Sequence, residues 1–422
     1  MTAADRGFRK FVDEHAEQLV FIALLVISVL VRIDLAPKID WSPDYLACID
    51  PWVREYRSLG FVNGLATEIG NYYIPYNVLL ALISYVPADP WVMVSVVSCV
   101  FEYLMFYYAY RLLLVADGGE SEEEGGEERM TRAAFAALLM LYLPPMILNG
   151  AFWKQCDAIY GAFGVIALYH LMKDQYHRAF LFLSLAFVFK LQTILLLPVF
   201  VIAYFCGKRF SLFHWLWLPG MYLFTGLPAI LAGRPVKEVY SIYLNQSNEY
   251  HYMFMNTGGF YRLLRSDYDA LSYAAILCTV GLCGILFYYT WLHRSAFSNA
   301  RLLQLSGVAG YGCFLFLPAM HERYDYLPIF LVTLYYAYYH RKKLYIPGVM
   351  VLVTAVMYCA YLFGGNTLPE EAYALLCLGG FWLALLDYVQ ELRQGTRDAG
   401  PQARWEVVEE NTEETEDVHS DQ

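Results

Sequence analysis

The chain consists of long apolar blocks separated by short polar segments. Residues 19–31, 91–115 and 344–363 form three such blocks, and only Glu102 and Arg111 interrupt the middle one. Apolar blocks of about 18 or more residues match a hydrocarbon layer about 30 Å thick. Inside that layer the backbone must satisfy its own polar groups, as an α-helix does. Because the alternation of a membrane β-barrel is not visible, the pattern predicts an all-α, polytopic transmembrane protein.

The basic residues orient these predicted spans, since lysine and arginine accumulate on the cytoplasmic side. Arg6, Arg9 and Lys10 precede the first span, at residues 19–36, and place the N-terminus inside. With all later basic clusters on that side, the chain makes about twelve crossings and both termini are cytoplasmic. Those clusters are Arg129/Arg132, Lys173/Arg178, Lys208/Arg209, Arg294/Arg301, Arg341/Lys342/Lys343 and Arg393/Arg397/Arg404.

Two stretches decide whether this topology holds. Residues 71–86 are apolar, and counting them as a span would invert everything that follows. Their short length and Pro75 near their start favour a helix at the outer interface. Residues 179–206 have basic clusters at both ends, so they must cross an even number of times. Two short spans with Lys190 and Gln192 at the outer turn satisfy this requirement.

The predicted topology divides the chain into a small number of regions. They are a cytoplasmic N-terminus (1–18), a transmembrane domain (19–392) with outer loops at 37–90 and 233–270 and an acidic cytoplasmic loop at 116–131, and an acidic, disordered cytoplasmic tail (393–422). Because the outer loops are aromatic and polar while the inner ones are short, we expect the outer face to carry the function.

Charge and cysteine content add little to this picture. Acidic runs at 120–128 and 406–421 carry much of the net charge of −11 and are typical of solvated, disordered segments. The sequence contains no basic stripe of the kind that would indicate a nucleic-acid partner. Of the nine cysteines, only Cys48 and Cys156 fall on the predicted outer side, where they are candidates for a disulfide.

Polar residues at span ends are the candidates for chemistry, because burying them in lipid is costly. Asp44 follows the first span and is placed to act as a general base, although taken alone it fits a helix-capping role in a surface loop better. Lys154, Gln155 and Asp157 form a hydrogen-bonding cluster between two spans, with interfacial capping as the alternative. We interpret the nearby Asp50 as structural.

Two further groups carry positive charge on the same predicted face. Lys190 interrupts a long apolar stretch, which is costly unless the ammonium group meets an anion or lines a wet cavity. His321, Glu322 and Arg323 follow the end of another span. Guanidinium pairs well with phosphate oxygens, although Glu322 neutralising Arg323 is an equally good interpretation. Together the groups suit a ligand with a lipid tail and a phosphate at the membrane surface.

Five stretches, in order along residues 40–324, resemble the GT-C glycosyltransferases that use polyprenyl-phosphate sugars. They are most similar to bacterial membrane proteins related to the GPI-anchor mannosyltransferases, and more distantly to the dolichyl-phosphate-glucose glucosyltransferases. The stretches are Ser-Pro-Asp-Tyr (42–45) with Trp52, Asn-Tyr-Tyr-Ile-Pro-Tyr (71–76), Trp-Lys-Gln-Cys-Asp-Ala-Ile-Tyr (153–160), Phe-Lys-Leu-Gln (189–192) and Leu-Pro-Ala-Met-His-Glu-Arg-Tyr (317–324).

The resemblance implies a role for each matching position. Asp44 would be the catalytic base, with Lys190, His321 and Arg323 at the donor phosphate. The substrate-binding residues would be Tyr45, Trp52, Gln155, Asp157, Gln192 and Glu322. Two departures stand out, because Lys154 occupies a position where many relatives have glycine and Ile74 replaces the first of two prolines.

The sequence therefore predicts an inverting transfer of a hexose, mannose or glucose, from a polyprenyl-phosphate carrier to a glycan, lipid or protein acceptor. The membrane would be a bacterial plasma membrane, or that of the endoplasmic reticulum in a eukaryote. We expect no metal, since Asp267-Tyr-Asp269 is a lone match to a DxD motif. A transporter or flippase of lipid-linked sugars is the main alternative, although no internal repeat of the kind transporters carry is visible. A non-catalytic assembly subunit is a further alternative.

Overall fold

A computed structural model describes residues 1–119, 122–247, 251–264, 267–365 and 368–398. It is 81% helical with almost no strand, which confirms the all-α class. The α-helices are α1 (Ala3–Glu14), α2 (Ala16–Leu35), α3 (Asp50–Ala66), α4 (Ile74–Ile83), α5 (Pro90–Ala116), α6 (Glu122–Met140), α7 (Pro144–Ile147), α8 (Asp157–Met172), α9 (Tyr176–Phe189), α10 (Leu197–Cys206), α11 (Trp217–Ala232), α12 (Val236–Ser247), α13 (Tyr268–Leu292), α14 (Asn299–Phe316), α15 (Tyr326–Tyr339), α16 (Tyr345–Phe363) and α17 (Glu370–Asp398).

Shorter elements join these helices. Two π-helical turns cover Tyr45–Ile49 and Leu148–Phe152. The 3-10 turns are Ile39–Trp41, Leu191–Leu196, Leu212–Leu216, Phe260–Leu263, Arg294–Ala296 and Arg341–Lys343. Strands β1 (Phe254–Met255) and β2 (Met320–His321) pair in parallel, with Phe254 opposite Met320. This pairing ties the segment before α13 to the segment that follows α14.

Six helices in the described residues are long and apolar enough to cross a membrane. They are Ala16–Leu35, Pro90–Ala116, Leu212–Ala232, Tyr268–Leu292, Tyr345–Phe363 and Glu370–Asp398. The pair Gly126–Met140 and Pro144–Phe152 passes the same test together, although it bends by 58°. Several of these helices leave large apolar side chains exposed, among them Ile22, Leu30, Leu277 and Val280. A lipid environment accounts for such faces, so the chain is a membrane protein.

The shorter helices α8, α14 and α15 form the buried centre of the bundle. Nearly every residue of these three helices is inaccessible to solvent. A β-carbon at Gly164 of α8 would lie 2.7 Å from a methyl of Leu327, and one at Gly307 of α14 would lie 2.7 Å from Val332. Small residues let helices approach this closely where the hydrophobic effect does not drive association.

Several sequence expectations concern local structure. Residues 71–86 contain a ten-residue helix, α4 (Ile74–Ile83), rather than a full span. A break at Lys190, whose backbone is extended, separates α9 from the next helical segment. Cys48 and Cys156 are both free thiols, so the expected disulfide is absent. Residues 120–121 of the first acidic run, and the whole run at 406–421, lie outside the described residues.

Candidate functional site

A cavity of about 440 Å³ opens at one end of the bundle. The segments around it come from places far apart in the chain: those that follow α2, α9 and α14, the one that precedes α8, the first turns of α3 and α13, and the last turn of α16. Pockets of this size are typical of small-molecule sites. The predicted site residues that line it are Asp44, Trp52, Gln155, Lys190, Gln192, His321, Glu322 and Arg323. The sequence motifs therefore meet around one space.

Asp44 is held by four hydrogen-bond donors from other parts of the chain. Its Oδ2 accepts from Trp153 Nε1 at 3.1 Å, from Gln155 Nε2 at 2.5 Å and from Arg323 Nη1 at 3.3 Å. Its Oδ1 accepts from the Tyr361 hydroxyl at 2.6 Å. The side chain remains 24% exposed, so a fixed carboxylate faces the cavity with lone pairs available to a further donor.

The two π-helical turns place the groups of this cluster. One begins directly after Asp44, and the other ends immediately before Trp153. Such turns widen a helix locally and recur at functional sites. The Ser42 hydroxyl donates to the Trp153 carbonyl at 2.7 Å and joins the two segments. Lys154 then adopts φ +66°, a left-handed conformation that favours glycine, and this turn directs Gln155 toward Asp44.

A buried ion pair lies behind the cavity wall. Lys190 Nζ contacts Asp157 Oδ1, and the side chains are 6% and 0% exposed. Asp157 Oδ2 also accepts from Asn149 at 2.9 Å and lies 3.9 Å from Arg323 Nε. Lys190 lines the cavity whereas Asp157 does not. Asp157 therefore compensates the lysine charge and fixes it at the wall, and an anionic ligand would meet a pre-positioned ammonium group.

His321 lies at the same wall but is not a cation. Burial, and then the nearby charges of Arg323 and Lys190, lower its pKa to about 3. In this structure His321 therefore adds no positive charge to the wall, and its contact with the donor phosphate stays a prediction. A neutral imidazole can only donate or accept a hydrogen bond, so positive charge at the wall comes from Lys190 and Arg323.

Arg323 is the cation closest to Asp44. Its guanidinium packs on the Trp153 ring at 5.3 Å, and its Nη1 lies 3.7 Å from Glu322 Oε1, farther than from Asp44. Nearby acidic groups raise the pKa of Arg323 despite the opposing effect of its burial. By distance, Asp44 is the carboxylate nearest to Arg323, with Glu322 slightly farther away.

Trp52 and Tyr72 form an aromatic wall of the cavity. Their rings lie 5.6 Å apart, and the Tyr72 hydroxyl donates to Gln155 Oε1 at 3.2 Å. Gly70 has φ +69°, and a β-carbon there would lie 2.5 Å from the Trp52 ring. Glycine at this position is therefore required both by backbone conformation and by the close approach of the indole.

Two of the predicted substrate-binding residues do not line the cavity. Tyr45 is 2% exposed, and its hydroxyl donates to Asp50 Oδ1 at 3.1 Å. Asp157 lies behind Lys190, as described above. Sequence reasoning did not select Trp153 or Tyr361, both of which contact Asp44. Trp153 lies inside a quoted motif, whereas Tyr361 falls in an apolar block that gives no polar signal.

Comparisons with known proteins add no assignment. No model of a known protein family matches the chain, and no curated protein matches it significantly. Among the described residues, no group of three or more His, Cys, Asp or Glu side chains is arranged to hold a metal ion. The site's chemistry must therefore be inferred from its own geometry, which combines one positioned carboxylate, two cations and an aromatic wall.

Proposed function

We propose that this protein is an inverting GT-C-type hexosyltransferase that uses a polyprenyl-phosphate sugar as donor. The observation that carries this proposal is the arrangement of Asp44, Lys190 and Arg323 on the wall of one cavity. A carboxylate positioned beside two cations suits a reaction that needs a base for a hydroxyl and charge stabilisation for a phosphate. The order of the sequence motifs, which resembles that family, supports the same reaction.

In this mechanism Asp44 accepts the proton of the acceptor hydroxyl as its oxygen attacks C1 of the hexose. The bond between C1 and the phosphate oxygen breaks on the opposite side, and its electron pair leaves with the phosphate. Lys190 and Arg323 stabilise the negative charge that develops there. Gln155, Trp153 and Tyr361 hold Asp44 in place through the hydrogen bonds described above.

The apolar side of the cavity suits the lipid portion of such a donor. Ile194 and Leu195, in the turn before α10, line it together with Ile276 of α13. Helix α13 is one of the candidate membrane spans, and much of its surface is exposed, as Leu277 shows at 70%. An isoprenoid chain in the bilayer would thus have an apolar path from α13 to the cavity.

We further propose about twelve spans, since the five shorter helices α8, α9, α10, α14 and α15 lie beside the six long ones and the bent pair. Both termini would be cytoplasmic and the cavity would face the outside of a plasma membrane, or the lumen of the endoplasmic reticulum. A transporter would need polar groups near mid-membrane, whereas the lining described above clusters where helices begin and end.

Thiol labelling tests this topology. In a variant lacking Cys48 and Cys156, a cysteine introduced at residue 128 or after residue 393 should be shielded from an impermeant reagent in intact cells. A cysteine introduced at position 248 should react, because it follows α12 on the same side as the cavity in this topology. Labelling at residue 128 from outside would invert the arrangement and remove the proposed outer location of the cavity.

Transfer by the purified protein tests the reaction itself. The protein in lipid vesicles would be given radiolabelled mannose or glucose on a polyprenyl monophosphate, with pooled cell glycolipids as acceptor. We expect transfer that inverts the anomeric configuration and proceeds in the presence of a chelator. The same hexose on a nucleotide diphosphate is the matched control and should not react. Transfer only from the nucleotide sugar, or from neither donor, would contradict the proposal.

A further inference from the structure

We propose that Glu322 is the general acid of the transfer, giving its carboxyl proton to the leaving phosphate. This inference rests on the proposed function. It adds a general acid, Glu322, to the general base, Asp44. Its basis is the position of Glu322 in the cavity wall, where the residue is 3% exposed. The sequence motif implies only that Glu322 binds substrate, or that it pairs with Arg323, and gives it no role in proton transfer.

The hydrogen bonding of Glu322 leaves one oxygen uncommitted. Its Oε2 is buried and has no hydrogen-bond partner among the described residues. Its Oε1 lies 3.7 Å from Arg323 Nη1, beyond hydrogen-bond distance, because Asp44 holds that nitrogen at 3.3 Å. A buried carboxylate with one unpartnered oxygen and its nearest cation at 3.7 Å would be costly, so the geometry favours a neutral carboxyl that a bound ligand engages.

The electrostatic surroundings of Glu322 act in the same direction. Burial raises its pKa to about 7, the charge of Arg323 opposes this, and the carboxylates of Asp44 and Asp157 add to it. The titratable and charged groups that interact with it are Asp44, Asp157, Arg323, Asp325 and Tyr361, and His321 precedes it in the chain. Glu322 therefore carries its proton below about pH 7 and loses it above.

The other candidates for a proton donor are unsuited to the role. His321 has a pKa of about 3 and carries no extra proton at neutral pH. Burial also raises the pKa of Asp325 to about 7, but its Oδ2 accepts from Thr354 at 2.5 Å and it does not line the cavity. The Tyr361 hydroxyl already donates to Asp44. Among the carboxyl groups of the described lining, Glu322 is the one whose pKa is raised to about 7.

The step balances without any further reactant. The acceptor oxygen attacks C1 and its proton passes to Asp44. The bond between C1 and oxygen breaks with its electron pair on the phosphate, and the Glu322 proton joins a phosphate oxygen. The lipid phosphate then leaves as a monoanion, and Glu322 becomes an anion that regains a proton from water. Without this transfer the phosphate would leave as a dianion, and Lys190 and Arg323 alone would have to stabilise its second charge.

The pH dependence of turnover tests this role in the full-length protein. Wild-type turnover should be level below pH 7 and fall about tenfold per pH unit above it, as the acid ionises. Glu322→Gln keeps the size of the side chain but cannot transfer a proton. Its turnover at pH 6.5 should be about a hundredfold or more below that of the wild type, and its pH profile should lack the break near pH 7. Asp325→Asn, which removes the other buried acid of similar pKa, should retain the break. A break that persists in Glu322→Gln would overturn the inference.

Binding of a C15 isoprenyl monophosphate separates this inference from the proposed function. Its dissociation constant for the wild type, divided by that for Glu322→Gln, should rise by up to about fivefold between pH 7 and pH 8. The ratio cancels the titration of the phosphate itself. A ratio independent of pH would overturn the role of Glu322 while leaving the phosphate site intact. Absence of binding to the wild type at any pH would overturn the proposed function and the inference together.

Discussion

The two ends of the helix bundle carry polar clusters of opposite character. At the end away from the cavity, Glu391 contacts Arg301, accepts from the Tyr335 hydroxyl at 2.5 Å and lies 2.7 Å from His340 Nε2. In the same region Asp387 pairs with Lys343 at 2.8 Å and accepts from Tyr336 at 2.9 Å. Each carboxylate there has a cation and a tyrosine, and none of these groups lines the cavity described above.

At the cavity end, three carboxylates share one arginine, and their hydrogen bonding is incomplete. Arg323 lies within 4 Å of Asp44, Asp157 and Glu322 at once, and Glu322 has an oxygen with no hydrogen-bond partner in the described part of the chain. A cluster that only joins helices gains from complete pairing. A cluster that receives an anionic ligand must leave donors and lone pairs available to it, and the cavity end has this property.

Removal of the proposed base, Asp44, should produce the largest fall in turnover and so distinguish the cavity end from the opposite end. Asp44→Asn cannot take up a proton at neutral pH, so turnover should fall about a hundred- to ten-thousandfold. Binding of the isoprenyl monophosphate should change little because Lys190 and Arg323 remain. The measurement is initial-rate transfer from the lipid-linked hexose, together with thermal unfolding to confirm that the variant is folded.

Asp50→Asn is the matched control for that variant. Asp50 accepts from the Tyr45 hydroxyl and from Arg54 Nε at 2.6 Å, outside the cavity lining. Its replacement should leave turnover within a fewfold of the wild type. Turnover above about a tenth of normal in Asp44→Asn, more than loss of a general base allows, would remove the assigned role.

A smaller effect should follow from removing the cation nearest the base. Arg323→Ala should lower kcat/KM for the donor about ten- to a hundredfold, the equivalent of one charge-assisted hydrogen bond. Arg323→Lys should recover only part, since an ammonium group lacks the planar two-point contact of guanidinium. An unchanged kcat/KM in Arg323→Ala would mean that Arg323 does not contact the donor phosphate.

Much of the site was predictable because its residues interrupt apolar surroundings. A lysine at position 190 or an aspartate at position 44 is expensive beside lipid unless the fold provides a partner, and the order of the motifs resembles a known family. Charge patterning also predicted that residues 71–86 would not form a full span, and α4 is ten residues long. Helix formation, the break at Lys190 and the meeting of the motifs therefore follow from composition and order.

The remaining features depend on three-dimensional distances that no local pattern encodes. Tyr361 contacts Asp44 only because α16 ends beside it, more than 300 positions along the chain. The lowered pKa of His321 results from burial and then from the charges of Arg323 and Lys190, whereas the raised pKa of Glu322 results from burial and from the carboxylates of Asp44 and Asp157. Their sequence neighbourhood, His-Glu-Arg, indicates instead a paired cluster of surface charges. The proximity of Asp157 to Lys190 likewise required the packing of α8 against α9.

The opposite end should respond in stability rather than in turnover. Glu391→Gln removes the charge that Arg301 and His340 contact, which should lower the free energy of unfolding by about 1.5–3 kcal/mol. Turnover at a permissive temperature should stay within about threefold of the wild type, because the cluster adds nothing to the cavity. Thermal unfolding and transfer assays on the same preparation give both values. If Glu391→Gln lost turnover while its free energy of unfolding stayed unchanged, the two ends of the bundle would not differ in role as described.

The smallest effect should come from Lys154, which lies at the cavity end but has a structural role. Its side chain is fully buried, and Nζ donates to the carbonyls of Ala151 at 2.5 Å and Phe152 at 3.0 Å, which stabilises the end of a π-helical turn. Its φ of +66° is unfavourable for a residue with a β-carbon. Lys154→Gly loses the two hydrogen bonds but removes this strain, so the free energy of unfolding should change by less than about 1 kcal/mol. Lys154→Ala loses the same bonds and keeps the strain, and should be the less stable variant.

Turnover should remain within about twofold of normal in the glycine variant, because Gln155 keeps its hydrogen bond to Asp44. If Lys154→Ala proved as stable as Lys154→Gly, the left-handed turn would not explain why similar sequences have glycine at this position. A large loss of turnover in Lys154→Gly would show that the ammonium group takes part in the reaction.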